Sequence, residues 1–205
     1  MLIHLLAPKN TNQWKNIWKK CYKIWENSPH QIKIWDNKEI DKLLKEDNYE
    51  FYNEYLSKCP NIYKWDYARY IILEKYGGAY FDMDVEVIDG SFLNKLDPNK
   101  LYLYGAYTSS GVEPAIMIAK NGYEKAFWIL LKEYIIFRIK DTKYKNTIPN
   151  TAWKTGPLAL TSFYLNWIRN RMIRSENIQI LPWELFGNIR NDLSYCVHHY
   201  TNSWH

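Results

Sequence analysis

Apolar residues in this chain recur at two periods, and the switches between those periods mark an alternation of strands and helices. Leu2 to Leu6 is a short apolar run ended by Pro8, the pattern of a buried strand. From Asn12 to Trp25 the large residues Trp14, Ile17, Trp18, Cys21, Tyr22 and Trp25 fall three or four apart, which predicts a helix with one apolar face. Ser28-Pro29 breaks it, and Gln31 to Trp35 alternates as a second strand. Asp36 is placed to cap a helix carrying Ile40, Leu43 and Leu44, and a polar, aromatic helix is expected over Tyr49 to Leu56, before Cys59-Pro60. Tyr63 to Tyr76 is again strongly periodic, with Gly77-Gly78 as its stop.

Beyond that stop, Ala79 to Phe81 is too short for a helix and reads as a strand, and Val85 to Ile88 continues extended. Leu101 to Ala106, Ala115 to Ala119 and Ile178 to Leu181 are further strands, with helices over Tyr123 to Arg138 and Ala159 to Arg171. Strands alternate with helices throughout, so the class is α/β. With 205 residues and neither a repeat nor a low-complexity linker, one domain spanning 1–205 is expected.

Composition narrows this little. Hydrophobic residues make up 47% and charged residues 24%, ordinary for a globular chain, whereas 17% aromatic residues is high. That excess suits either a core and surface of large flat side chains or a site that stacks on sugar rings or bases. The net charge of +5 is spread over scattered basic residues, with no block of the kind that binds nucleic acid. Cys21, Cys59 and Cys196 form no CxxC pair, which fits free thiols in a reducing compartment. The amino-terminal segment reads as a strand and not a signal peptide. The apolar run from Phe127 to Ile139 is interrupted by Lys132, Glu133 and Arg138, so no transmembrane segment is expected and the location expected is cytoplasmic.

The stretch Asp66 to Glu86, DYARYIILEKYGGAYFDMDVE, carries the densest chemistry. In open α/β sheets ligands bind at the carboxyl ends of strands, where Asp82 and Asp84 follow an apolar run. Period two in a strand would send both carboxylates to one face and Met83 to the other, into the core. Carboxylates this close repel unless a cation or proton intervenes, and oxygen ligands of this kind suit Mn²⁺ or Mg²⁺ bridging to a substrate phosphate. A solvated acidic turn is the plainer alternative. Asp66 and Arg69 share a helix face three residues apart, either as an ordinary surface ion pair or as a pair gripping hydroxyls. In Cys196-Val-His-His-Tyr-Thr-Asn-Ser-Trp204, neighbouring histidines on an extended segment point opposite ways, so at most one of His198 and His199 can be a ligand. Gly156-Pro157 offers either a loop that approaches a ligand or a helix-start turn.

Taken together these residues resemble the DxD-containing sugar-binding glycosyltransferases, family 32, which include initiation mannosyltransferase and the α1,4-glycosyltransferases. DYARYIILEKYGGAYFDMDVE carries the resemblance, with weaker similarity over Trp25 to Leu44, Thr155-Gly156-Pro157 and the His-to-Ser-Trp ending. The resemblance implies a GT-A fold, a single Rossmann-like mixed sheet flanked by helices. It also implies a metal-dependent, retaining transfer of a hexose from a UDP- or GDP-sugar to a hydroxyl of a glycan, protein or lipid acceptor. Asp66, Arg69, Tyr80, Asp82 and Gly156 would then bind the donor sugar, and Ser203 and Trp204 the diphosphate. Asp82, Asp84 and His198 would hold the ion, with His199 in reserve, and Asp82 and Asp84 would be catalytic.

Two departures stand out. Ile3-His4-Leu5-Leu6-Ala7 occupies the place of Ile-His-Gln-Ile-Trp in many relatives, so the base-stacking aromatic is missing. Glu113 lies where an Asn is common, a candidate for the acceptor side. Two rivals compete: a phosphatase resembling the haloacid dehalogenases, with Asp82 as covalent nucleophile, and a non-catalytic carbohydrate-binding protein.

Overall fold

A computed structural model describes residues 1–106, 111–120, 125–143, 145–170 and 177–201. In chain order the elements are β1 (Leu2–Leu6), α1 (Asn16–Glu26), β2 (Gln31–Trp35), α2 (Asn37–Asp47), α3 (Tyr49–Glu54), α4 (Asn61–Tyr76), β3 (Gly78–Phe81) and β4 (Val85–Val87). There follow α5 (Phe92–Lys95), β5 (Leu101–Gly105), β6 (Val112–Ala119), α6 (Lys125–Lys140), α7 (Thr151–Lys154), α8 (Pro157–Arg169), β7 (Ile178–Leu181), α9 (Trp183–Phe186) and β8 (Cys196–His198). Six strands form a mixed sheet in the order β2-β1-β3-β6-β5-β7, and β4 pairs with β8 in a small antiparallel ribbon.

The sheet separates two apolar layers. Tyr80 points to the layer built by α2, α3, α4, α6 and α8, whereas its neighbours Ala79 and Phe81 point to the layer holding Trp14, Trp18 and Trp25. Parallel pairing sets Ile3 beside Ala79 and His4 beside Tyr80, so β1 and β3 end together at one edge of the sheet. Asp82 follows β3 at that edge.

Local chemistry explains most element boundaries. Asp36 and Glu39 form a reciprocal capping box at the start of α2. The helix expected from Asn12 is divided: Asn10 caps a single 3-10 turn over Thr11–Gln13, Trp14 then turns extended and buries its ring, and α1 starts at Asn16. β6 begins three residues earlier than its pattern suggests, because Pro114 lies inside it at a bulge opposite Leu103 and Tyr104. The short α5, α7, α9 and β8 have patterns too brief to register at either period.

Two local corrections bear on the site. Asp82-Met83-Asp84 is not strand but a turn, closed by the Val85 amide donating to the Asp82 carbonyl at 3.0 Å. Met83 still enters the core, so it is the turn that parts the two aspartates from it. α4 is not a one-faced helix either: from Asp66 to Leu73 every residue is buried. It lies between the sheet and α2, α6 and α7, so Asp66 and Arg69 have left the surface.

Candidate active site

Burial makes the Asp66–Arg69 pair a structural commitment, since a buried charge needs partners on every polar atom. Arg69 pairs through Nη2 with Asp66 Oδ1, while its Nη1 donates to the Pro114 carbonyl at 3.2 Å and reaches Asp82 Oδ1 at 3.4 Å. Thr155 Oγ1 donates to Asp66 Oδ2 at 2.7 Å. Burial pushes the Asp66 carboxyl above its usual range, and Arg69 and Thr155 work against that shift. Arg69 Nε is buried with no hydrogen-bond partner.

The turn after β3 supplies the second group. Tyr80 hydroxyl donates to Asp82 Oδ1 at 2.5 Å, and the Arg69 guanidinium lies over the Tyr80 ring, 5.2 Å from its centroid. Burial raises the Asp82 carboxyl, opposed by Arg69 and reinforced by the neighbouring Asp84. Asp84 behaves differently. Burial would raise it, but His198 and the Thr201 amide and hydroxyl, both 2.8 Å from Oδ2, bring it down to about 2.

His198 enters from β8, whose pairing with β4 sets it opposite Val85. Its Nε2 is 3.5 Å from Asp84 Oδ1, and ligating atoms of Asp82, Asp84 and His198 lie within 4.8 Å of one another. Two oxygen donors and an imidazole suit a divalent cation such as Mn²⁺. An acidic pair whose first member is raised by burial and by the second is the electrostatic setting that a cation relieves. The buried His198 Nδ1 has no hydrogen-bond partner, and the nearest carboxylate oxygen, Glu113 Oε2, is 3.9 Å away. Tyr200 holds the other face, its ring 3.8 Å from that of His198. Its backbone is in the left-handed region at φ 46, strain that a non-glycine residue adopts where packing demands it.

These groups share one cleft of about 380 Å³. Asp66, Arg69, Asp82, Asp84, Glu113 and His198 all face it, and Ile148, Pro149, Ala152 and Pro157 form the opposite wall. Two expected sugar-binding residues sit elsewhere. Tyr80 does not line the cleft: fully buried, it acts from beneath by holding Asp82. Gly156 lies behind Asp66, where a Cβ would stand 3.4 Å from Asp66 Oδ2, so its smallness makes room for the carboxylate. His199 faces away and meets Glu86 Oε2 at 2.9 Å, which leaves His198 as the histidine of the cluster. Ser203 and Trp204 lie outside the described residues. Thr155, Tyr200 and Thr201 were not singled out from sequence. Each stands in a segment that was, but nothing in its spacing separates it from its neighbours.

A mixed α/β sheet with acidic side chains gathered just beyond the strand that follows the Gly-Gly turn is the arrangement of a GT-A glycosyltransferase fold. The solved PaToxG glycosyltransferase shares that fold, with a TM-score of 0.55 and 13% identity over 82% of this chain and 69% of that one. Residues 9–102 match the family described as the glycosyltransferase sugar-binding region containing a DXD motif. Inositol phosphoceramide mannosyltransferase 1 of Schizosaccharomyces pombe is 25% identical over 202 residues, covering 94% of this chain and 57% of the relative. Inositol phosphoceramide mannosyltransferase 3 of the same yeast is 27% identical over 161 residues, covering 76% of this chain and 41% of the relative. The chain therefore spans about half the length of the curated relatives it matches.

Proposed function

We propose that the chain is a metal-dependent, retaining glycosyltransferase that moves a hexose from a nucleotide-sugar to an acceptor hydroxyl. The observation that carries this reading is the meeting of Asp82, Asp84 and His198 with the Asp66–Arg69 pair in one cleft. Asp82, Asp84 and His198 would hold Mn²⁺ or Mg²⁺, which when bound supplies positive charge to the leaving diphosphate. Asp66 has lone pairs left to accept from sugar hydroxyls. Arg69 spends its Nη donors on Asp66, Asp82 and Pro114, so it acts mainly by fixing the two carboxylates.

The donor base would occupy a hollow of about 200 Å³ beyond β1, where Trp18, Trp35 and Trp65 offer aromatic surface around Ala7. That arrangement compensates for the aromatic missing at Ala7 itself. Glu113, raised by burial, faces the cleft as the acceptor-side carboxylate. With no separate nucleophile assigned, the acceptor oxygen bonds the anomeric carbon on the face that the diphosphate leaves, and its proton passes to the departing phosphate oxygen. The names of the two yeast relatives favour mannose as the sugar.

The phosphatase alternative would use Asp82 as a nucleophile through Oδ2, since Oδ1 is engaged by Tyr80 and Arg69, but it gives no role to the buried Asp66–Arg69 pair beside it. Among the described residues there is also no second acidic cluster to serve it. The transferase reading is tested by incubating the chain with Mn²⁺ and a panel of UDP- and GDP-sugars while following nucleotide release and product anomer. Turnover of one donor with retention is expected, reduced by about a hundredfold or more in Asp84→Ala. Failure to bind or turn over any donor would overturn the proposal.

A further inference from the structure

The wall of the cleft facing the acidic cluster continues outward into a surface that the transfer chemistry does not use. Ile148 and Pro157 line the cleft, and Leu158 follows at 40% exposure, with Ile148 itself 48% exposed. Trp153, on the same helical segment as Ile148, is 53% exposed. It lines a second hollow of about 360 Å³ together with Asp141 and Asn150. Phe137, one turn before Asp141 on α6, is 66% exposed. Exposed apolar side chains thus recur from the end of α6 to the cleft mouth, interspersed with Arg138, Asp141 and Asn150 around that hollow.

The charge of this surface is one-sided. Residues 137–158 contain Arg138, Lys140, Lys143 and Lys145 against Asp141, apart from Lys154, which is buried and donates to the Arg138 and Asp141 carbonyls, whereas the whole chain is only +5. Lys140, Lys143 and Lys145 are exposed, and Lys140 carries its ammonium over the Tyr55 ring, 5.3 Å from the centroid. A tryptophan, a phenylalanine and aliphatic tips set among lysines match the boundary of a bilayer, where rings enter the headgroup region and ammonium groups meet lipid phosphates. No helix among the described residues is long and apolar enough to cross a membrane, so contact of this kind would be peripheral.

We infer that the surface formed by the end of α6, residues 148–154 and the start of α8 docks the chain onto an anionic lipid bilayer. Because Ile148 and Pro157 belong to both surfaces, docking sets the cleft mouth at headgroup level, where a lipid hydroxyl acceptor can enter. That consequence for the acceptor rests on the transferase reading. The docking itself does not.

Vesicle flotation of the whole chain tests it, comparing phosphatidylcholine vesicles with vesicles containing about 30% phosphatidylserine. Binding is expected to the anionic vesicles only, and to weaken as salt is raised. The triple variant Lys140→Glu, Lys143→Glu, Lys145→Glu should lose about fivefold in affinity per charge removed, and Phe137→Ser with Trp153→Ser about tenfold or more. These side chains are exposed, and unchanged far-UV circular dichroism and thermal midpoint would verify folding in each variant. Equal binding to both vesicle types, no binding, or variants that bind like the parent chain would overturn the inference. So would self-association through Phe137 and Trp153 without vesicle binding, which would assign the surface to a second copy. Nucleotide release in vesicle-free buffer separates the two proposals: if no donor turns over while anionic binding and its loss in the variants persist, only the transferase reading fails.

Discussion

His4 shows how a single side chain couples the first strand to the α4–β3 junction. Trp35 Nε1 donates to its Nδ1 at 3.1 Å, which leaves Nε2–H to donate to the Gly77 carbonyl at 2.9 Å. The bond from Trp35 requires neutral imidazole, and burial lowers the His4 pKa to about 4 against the raising effect of the Gly77 carbonyl. The unfolded chain binds this proton near the ordinary value of 6.5, so between pH 6.5 and 4 the unfolded state holds more protons. Stability therefore falls as pH drops through that window, by about 3 kcal/mol from this group, and is unaffected by it above 6.5. His4→Gln keeps one donor and one acceptor but cannot titrate. Urea midpoints at pH 7.5 and 4.5 should differ less for the variant than for the parent chain, and an identical drop in both would refute the assignment. From the sequence His4 was visible only as part of an altered first strand. Its place in the fold depends on Trp35 and Gly77, partners remote in the chain.

Residues whose role is set by distant contacts were the hardest to read. Asp66 and Arg69 were found by spacing, but spacing could not distinguish a surface pair from a buried one, and burial is what ties them to Thr155 and Pro114. Alternation left His198 and His199 as rivals, and only the β4–β8 pairing orients them.

At the scale of elements, the α4–β3 junction determines where the carboxylates stand. Gly77 and Gly78 have φ of 61 and 85, values that end the helix and turn the chain directly into the sheet. A Cβ on Gly78 would lie 2.3 Å from the Leu2 carbonyl oxygen, so the glycine also permits β3 to pack beside β1. Gly78→Ala is expected to cost more than about 2 kcal/mol, through backbone strain and the clash together. Gly90→Ala is the control: its Cβ would meet only Val87 Cγ1 at 3.9 Å, and less than about 1 kcal/mol is expected. Chemical denaturation of both variants measures this, and equal losses would contradict the junction argument. The glycine stop was legible because φ above zero selects glycine. The Asp82–Asp84 turn was not, since a short apolar strand followed by DxD reads the same whether the chain continues or folds back. The early start of β6 was concealed by Pro114, a residue that ordinarily argues against a strand interior.

For the whole molecule, the high aromatic content is largely core: Tyr63, Tyr67, Tyr70, Tyr80, Phe81 and Trp128 are all essentially inaccessible. Those rings hold the sheet between its two layers and keep α4 in place. The site is then assembled from parts distant in sequence, α4, the turn after β3, the bulge in β6 and the β8 segment. The α/β class and most elements followed from periodicity, but the convergence of these four parts belongs to topology. The central claim is that Asp82, Asp84 and His198 form one cation site facing the Asp66–Arg69 pair. Titration with Mn²⁺ in the presence of a nucleoside diphosphate, followed by loss of the free-ion paramagnetic resonance signal, tests it most directly. One ion per chain is predicted, with affinity lowered by at least about tenfold in Asp84→Asn and in His198→Ala. Mn²⁺ binding that is absent in the parent chain, or unchanged in both variants, would contradict the account.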